Sequence, residues 1–410
     1  QVCPENAISA ILRGKQLIVV GDSKQLPPTR FFTKTLADDD EDETRGETEE
    51  RPENERTESI LDECLGAGFF ERSLRWHYRS RHESLIAFSN QAFYQNRLIT
   101  FPSPAAEHKD GVRFEYVKGI YDRGGTRANR REAERVAQLV FEHVRKNPAT
   151  SLGVVALSEA QQRAIREVIA DGVRRQPELK AWEKELDEED PTGFFVKNLE
   201  SVQGDERDVI ILSIGYGPDA SGRIYQNFGP VNKPGGERRL NVAVTRARQQ
   251  VIVVASMHAR DLPVQHSPGA QTLRAYLDYA ERGPAALSDL SFASGTAAGE
   301  EAVFDSPFEE AVYRALTAKG LQLDTQVGCS GYRIDLAVRN PQHPGKYLLG
   351  IECDGRTYHA SATARDRDRL RQRHLEQMGW TIHRIWSSDW VRNPAREAAK
   401  VLDKLREAPL

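Results

Sequence analysis

Short β-branched runs along the chain, Val112–Val117, Leu152–Ala156, Val209–Ser213 and Val251–Ala255, alternate with stretches whose apolar residues recur at helical spacing. Asn129–Arg145 and Glu159–Ile169 are two of these helical stretches. Strand-length runs separated by helices predict a mostly parallel sheet with helices over it. Upstream, Gln1–Leu12 reads as a short helix, and Gln16–Val20 (QLIVV) as a buried strand ending at Gly21-Asp22. Small and polar residues from Pro284 to Glu300 read as a linker. The pattern then changes. A helix over Pro307–Lys319 precedes strands at Leu323–Val327, Arg333–Val338 and Tyr347–Glu352. A charged helix (Arg365–Met378), a strand (Thr381–Trp386) and a last helix (Pro394–Leu405) complete an αβββαβ unit. It is large enough to fold alone.

Composition narrows the class. The 410 residues, 39% hydrophobic and 29% charged, suit two or three globular domains. No apolar run is long enough for a membrane helix, and the N-terminus carries no signal-peptide pattern. The 4 cysteines (Cys3, Cys64, Cys329, Cys353) form no CxxC pair or disulfide framework, which makes a reducing cytoplasm the expected setting. Charge is uneven. Between Asp38 and Glu58 twelve carboxylates face three arginines, a local net of −9, which leaves +5 on the rest of a −4 chain. Such a tract cannot bury apolar surface and is expected to be disordered, while a mildly basic body is compatible with nucleic acid.

Four segments carry candidate chemistry: GDSKQLPPT (Gly21–Thr29), LRWHYRSRHESL (Leu74–Leu85), VKNLESVQGDERDVIIL (Val196–Leu212) and RRLNVAVTRARQQVIVV (Arg238–Val254). After Gly21-Asp22, the Gln25 amide can both donate and accept beside a terminal phosphate or its attacking water. A planar guanidinium on a rigid element, Arg79 or Arg246, suits charge developing on a transferred phosphoryl group. Gly204 permits close backbone approach, and Glu206 can accept from a ribose. NVAVTRAR reads as a helix feeding a core strand, with Asn241 and Thr245 near its polar face. Alone, each segment is equally an ordinary turn or a surface ion pair.

In this order the four segments resemble the later motifs of superfamily 1 helicases, most closely the branch of the nonsense-mediated-decay helicase. The resemblance covers about Gln1 to Arg282. It implies an α/β fold, the second RecA-like domain of a P-loop NTPase, acting on ATP and single-stranded DNA, with RNA as the alternative strand. It also implies that Gly21, Asp22, Gln25, Arg79, Gly204, Glu206 and Arg246 contact nucleotide, with Arg79 and Arg246 as arginine fingers. Val196–Gln203 becomes a strand-binding loop that contributes Asn198, Ser201 and Gln203, joined by Thr245. The chain departs from the family at one point. No GxxxxGK[ST] is present, and the family's Mg-binding Asp-Glu-Ala-Ser would fall before Gln1. The expectation is therefore a C-terminal fragment whose partner is the first helicase domain of the same polypeptide and which does not hydrolyse ATP by itself.

Beyond the linker, Glu309, Asp335 and Glu352 stand out. Asp335 and Glu352 lie at or near the ends of neighbouring strands, where two carboxylates can converge on one cation, and oxygen-only ligation suits Mg²⁺. Pairing with nearby arginines is the plainer alternative. SPFEEAVYRAL, GYRIDLAV, GIECDGRTYH, RDRDRLRQRHLEQMGW and IHRIWSSDW together resemble the PD-(D/E)XK nucleases, especially the very-short-patch-repair branch, over Ser306 to about Asn393. That resemblance implies a small restriction-endonuclease-like α/β/α domain acting on duplex DNA. Asp335 and Glu352 would hold metal, with the Cys353 carbonyl as a further ligand. Glu309 would support a metal-bound water, and Asp368 with Arg371 would order the long helix. The superfamily's Glu-x-Lys lysine is absent. Asp354 stands in its place, and His359, at a spacing matched in the repair branch, would supply acid/base chemistry. The implied organisation is a first-domain remnant (1–36), acidic insertion (37–57), second RecA-like domain (58–283), linker (284–300) and nuclease domain (301–410). An RNA helicase, or a non-catalytic DNA-binding module with a degenerate nuclease domain, are the rival readings. Strand-stimulated ATPase and metal-dependent nicking separate them.

Overall fold

The computed structural model describes residues 2–26, 59–104, 108–176, 193–263, 267–290, 304–328, 332–343, 345–355 and 362–407. The acidic tract therefore lies outside the described residues, as does His359. The chain forms two compact units, Gln1–Leu74 and Arg75–Leu410.

In the first unit, helices α1 (Pro4–Ile11) and α2 (Ile60–Gly66) lie against each other, and the Ile60 N–H donates to the Val2 carbonyl at 3.0 Å. Pro4 opens α1 where a missing N–H costs nothing, and the Ser59 hydroxyl caps α2 by accepting from Asp62 N. The strand expected over Gln16–Val20 does not form. Ile18 and Val20 are 76% and 80% exposed. A strand exists only where neighbours accept its backbone N–H groups, and no described segment pairs with this one.

The second unit opens with α3 (Ser84–Tyr94), the short α4 (His108–Gly111) and β1 (Val112–Tyr116). α5 (Arg130–Lys146), β2 (Leu152–Ala156), α6 (Glu159–Arg175), β3 (Phe195–Asn198) and β4 (Arg207–Ser213) follow. α7 (Gly236–Val244), β5 (Ala247–Ala255), α8 (Pro268–Arg282) and α9 (Ala285–Leu290) complete the first sheet's surroundings. All four pairings in the sheet are parallel, in the order β1-β5-β4-β2-β3. Its central strands are near-continuous apolar runs, β2 being buried throughout, as a sheet covered on both faces requires. Ala133, Val136 and Val140 of α5 and Ile165, Ile169 and Val173 of α6, spaced at helical intervals, pack on Val154, Ile211 and Val254. Asn129 and Ser158 cap these helices by accepting from Glu132 N and Gln161 N.

Two readings change here. The first part of the expected strand-binding loop, through Asn198, is the edge strand β3, with Val196 paired to Val154 and Asn198 to Ala156. The segment expected as linker begins with α9, whose Ala286 is buried and whose Leu287 carbonyl accepts from Gln91 Nε2 at 2.7 Å. Alanines and leucines after Pro284 gave it an apolar face to bury.

A second, mixed sheet carries α10 (Pro307–Thr317), β6 (Leu323–Val327), β7 (Ile334–Arg339), β8 (Tyr347–Asp354), α11 (Ala362–Gln377), β9 (Ile382–Trp386), α12 (Ser387–Arg392) and α13 (Pro394–Glu407). Its order is β6-β7-β8-β9, the first two pairings antiparallel and the last parallel. One face packs on α10 and α13 through Val312, Leu316, Leu336, Ile351, Ile385 and Val401. The other contributes Ile334 and Ala337 to a cluster with Leu375, Trp380 and Phe101, the last from the segment after α3. No described helix is long and apolar enough to cross a membrane.

Candidate functional site

The first-unit residues nominated for nucleotide form one tight turn. Asp22 accepts from Lys24 N (2.9 Å) and from Gln25 Nε2 (2.9 Å), and a Cβ on Gly21 would press Leu61 at 3.1 Å. The Gln25 amide is thus aimed by the carboxylate beside it.

In the second unit the arginine motifs converge at the C-terminal end of α7 and the start of β4. Glu206 is held between two guanidiniums: Arg79 Nε lies 3.1 Å from its Oε2, and Arg248 donates to its Oε1. The Arg248 hydrogen bond, followed by the charges of Arg248, Arg79 and Arg246, keeps the Glu206 carboxyl below the usual range against the opposing effect of burial. Arg246 is buried and donates to the Val242 carbonyl at 2.7 Å and to Thr245 Oγ1 at 3.1 Å. Burial, then Arg79, pulls its pKa down to about 10. Thr245 spends its own hydroxyl proton on the Asn241 carbonyl at 2.8 Å. Gly204 has φ +90°, a left-handed conformation natural to glycine, with open space where a Cβ would stand.

Two of the nominated strand-contact residues, Asn198 and Ser201, are engaged with each other. Asn198 Oδ1 accepts from Glu200 N (3.0 Å) and Ser201 N (3.1 Å), and its amide donates to Gln162 Oε1. Asn198 and Ser201 thus close the turn that leaves β3, and Gln203 follows on it. Arg248 was not foreseen. It stands two residues after Arg246, across the alternation of β5, and only the pairing of β4 with β5 brings it to Glu206.

The carboxylate site lies where β7 and β8 run antiparallel. Leu336 pairs with Ile351, so Asp335 and Glu352 flank that pair and face each other across the two strands. Asp335 Oδ2 accepts from Cys353 N at 2.7 Å, and Glu352 Oε1 accepts from the Tyr332 hydroxyl at 2.6 Å. Among the described residues the remaining oxygen of each carboxylate has no hydrogen-bond donor. Burial raises Asp335 to about 7, with Glu309 and Asp354 adding to it against the Cys353 N–H. Burial, then the Asp335 charge, raises Glu352 to about 8, while Tyr332 and Arg384 oppose it.

Asp354, in the lysine's place, is paired. Arg384, which stands beside Glu352 in the register of β8 with β9, reaches Asp354 Oδ2 at 3.3 Å. Glu309 caps α10: its carboxylate accepts from Ser306 Oγ (2.8 Å), Asp305 N (3.0 Å) and Gln326 Nε2 (3.1 Å). Both of its oxygens are taken, which suits it to act on Asp335 through space rather than as a direct ligand. The Cys353 side chain turns to the opposite face and packs against the core under α10 and α13, and burial pushes its thiol up. Arg371 sits over the Tyr332 ring, its Cζ 5.3 Å from the centroid, whereas the Asp368 side chain and His359 lie outside the described residues. Among the described residues no three His, Cys, Asp or Glu side chains are gathered closely enough to ligate one ion. The pair Asp335–Glu352 nonetheless fits a divalent cation chemically. Both ligands are oxygens, both are buried against a like charge, and each keeps a lone-pair face unused. Tyr332 and Arg384 were missed for the same reason as Arg248: each meets its carboxylate across a strand pairing.

Two family models match separate stretches of the chain. The AAA domain family AAA_12 matches residues 57–258, and the family REase_MTES_1575 matches residues 308–405. An uncharacterized ATP-dependent helicase of Mycoplasma pneumoniae is 29% identical over 99% of this chain and 36% of its own length. A second, from Mycoplasma genitalium, is also 29% identical with the same coverage. The Arabidopsis thaliana homolog of regulator of nonsense transcripts 1 is 28% identical over 62% of this chain and 18% of its own length. The chain thus spans about a third of the length of the first two relatives and less of the third. It carries a RecA-like, helicase-like domain similar to the superfamily 1 nonsense-mediated-decay helicases, followed by a restriction-endonuclease-like domain.

Proposed function

We propose that this chain is the C-terminal part of an ATP-dependent superfamily 1 translocase joined to a Mg²⁺-dependent DNA endonuclease, working in DNA processing, repair or defence. The observation that carries the nuclease half is the buried Asp335–Glu352 pair, with one oxygen of each carboxylate lacking a donor among the described residues. Asp335 and Glu352 would hold Mg²⁺, which would supply Lewis-acid polarisation of a phosphate and a water of lowered pKa. The chain's own part is orientation. Cys353 N–H and Tyr332 O–H fix the second oxygen of each carboxylate. Arg384 neutralises Asp354, which would otherwise repel both the metal site's carboxylates and a DNA phosphate. His359 is assigned the proton transfers on the strength of the repair-branch resemblance. Nicking of supercoiled plasmid by the 410-residue chain, present with Mg²⁺ and lost on chelation, tests this reading. Equal product with and without metal would refute it.

For the helicase half, Arg79 and Arg246 act on the γ-phosphate of ATP held by a Walker-bearing domain elsewhere in a longer polypeptide. Arg79 must then leave Glu206, so the ion pair is the resting partner of a guanidinium that nucleotide recruits. ATP hydrolysis is expected when such a domain is joined to this chain, and Arg246→Ala removes most of it. Comparing stimulation by single-stranded DNA and RNA decides the strand type.

A further inference from the structure

The cluster on the outer face of the nuclease sheet is shared between the two domains. Trp76 and Ile99 form a parallel bridge, His77 N donates to the Ile99 carbonyl at 3.0 Å, and Ile99 N donates to that of Arg75 at 2.7 Å. The segment that bears Arg79 is thereby laced to the strand leading into Phe101. The Trp76 and Phe101 rings meet edge to face at 5.7 Å. Phe101 is 2% exposed, its other neighbours being the rings of Tyr332 (5.5 Å) and His374 (4.6 Å). Backbone contacts fasten the same seam. The Trp380 indole donates to the Pro102 carbonyl at 2.9 Å, and Tyr347 N donates to that of Pro104 at 3.0 Å.

Tyr332 closes the series. Its ring contacts both Phe101 and the Arg371 guanidinium, and its hydroxyl donates to Glu352 Oε1 at 2.6 Å. One aromatic side chain is thus held by two different parts of the chain: its ring by Phe101, its hydroxyl by Glu352. We infer that Tyr332 is a positioning residue for Glu352, seated by Phe101 of the helicase-like domain. The metal-binding geometry of the nuclease therefore depends on where the Arg79-bearing segment stands. Densely packed side chains transmit such displacements because they do not deform continuously. Movement of Arg79 off Glu206 would pull on Trp76, three residues away, and so on the Phe101–Tyr332 contact. This inference rests on the metal reading above.

The test measures Mn²⁺ binding to the 410-residue chain by calorimetry at fixed pH, alongside the Mg²⁺ dependence of plasmid nicking. Tyr332→Phe keeps the ring and removes the hydroxyl. A hydrogen bond to a charged group has an energy that corresponds to roughly tenfold or more in affinity. Tyr332→Phe should therefore weaken Mn²⁺ about tenfold and raise the half-saturating Mg²⁺ equally, with the maximal nicking rate recovered at high Mg²⁺. Phe101→Leu, which touches no carboxylate, should weaken Mn²⁺ in the same direction. In the double variant the two effects should combine to less than their product, since one acts through the other. Circular dichroism and thermal unfolding confirm that each variant is folded. Unchanged Mn²⁺ affinity in Tyr332→Phe overturns the positioning role, and unchanged affinity in Phe101→Leu, or fully multiplicative effects, overturns the link between domains. A wild-type chain that binds no Mn²⁺ removes the metal reading itself, and with it this inference.

Discussion

The two candidate sites solve opposite electrostatic problems. At the helicase-like site Glu206 lies among three arginines, Arg79, Arg246 and Arg248, on which Asp205 and Asp208 also act, and its acidity is strengthened. At the nuclease-like site two carboxylates are buried together and their acidity is weakened. In the first, cations hold a carboxylate ionised. The second has a surplus of buried oxygen and is suited to an incoming cation. Partial exposure makes the first arrangement cheap to open, whereas burial makes the second costly to leave without a cation.

The largest test of this contrast is removal of the surplus. Asp335→Ala and Glu352→Ala should each abolish Mg²⁺-dependent cleavage while DNA affinity stays within about twofold, because the metal's chemistry is separate from strand binding. Cleavage above about a tenth of wild type in both variants would put the metal elsewhere.

A second test separates burial from like-charge repulsion. Glu132 is fully buried, and the causes of its shift are burial and hydrogen bonds rather than a second carboxylate; it accepts from Ser213 Oγ (2.8 Å), Gly215 N (2.6 Å) and Ser256 Oγ (3.2 Å). Burial still raises it from 4.5 to about 7. The folded state therefore holds this proton more tightly than the unfolded state does. Its stabilising effect is complete below 4.5 and is lost as pH rises through about 7. Glu132→Gln should gain on wild type by a few kcal/mol between about pH 5 and about pH 8 in denaturant unfolding. A difference independent of pH would mean that the hydrogen bonds outweigh burial.

Smaller again is Arg246→Ala, which strips the Val242 carbonyl of its guanidinium donor and should cost about 2 kcal/mol of unfolding free energy. The smallest is Arg248→Ala. Its pair with Glu206 is partly exposed at 44% and 34%, and thermal unfolding should register less than about 1 kcal/mol. A larger loss would show that the arginine cluster is a packed structural element rather than an anion-ready surface.

Much of this was legible before any coordinates. The strand at Leu152–Ala156 emerged with its expected bounds, and the seven elements expected after the linker followed their hydrophobic pattern to within a few residues, α12 being the one unforeseen. Asp335 and Glu352 fall opposite each other in the register of β7 with β8. Gln16–Val20 failed because an apolar run specifies a strand only when a sheet receives it. β3 was hidden because Phe195–Asn198 is short and its Lys197 and Asn198 belong as readily to a loop. Tyr332, Arg248 and Arg384 could not be found from spacing along the chain. Each acts across a ladder whose register is a property of the folded sheet.

The seam between Phe101 and the nuclease sheet also constrains how the protein is made. Roughly 230 residues separate Phe101 from Ile334, its partner in the buried cluster. At ~5–20 residues per second, a ribosome takes on the order of ten seconds or more to cross that interval. Until then the aromatic edge of the helicase-like domain has emerged without its cover. Nascent chains of this protein pass through a stage in which Trp76, Ile99 and Phe101 form a sticky patch, open to chaperones and to other nascent copies.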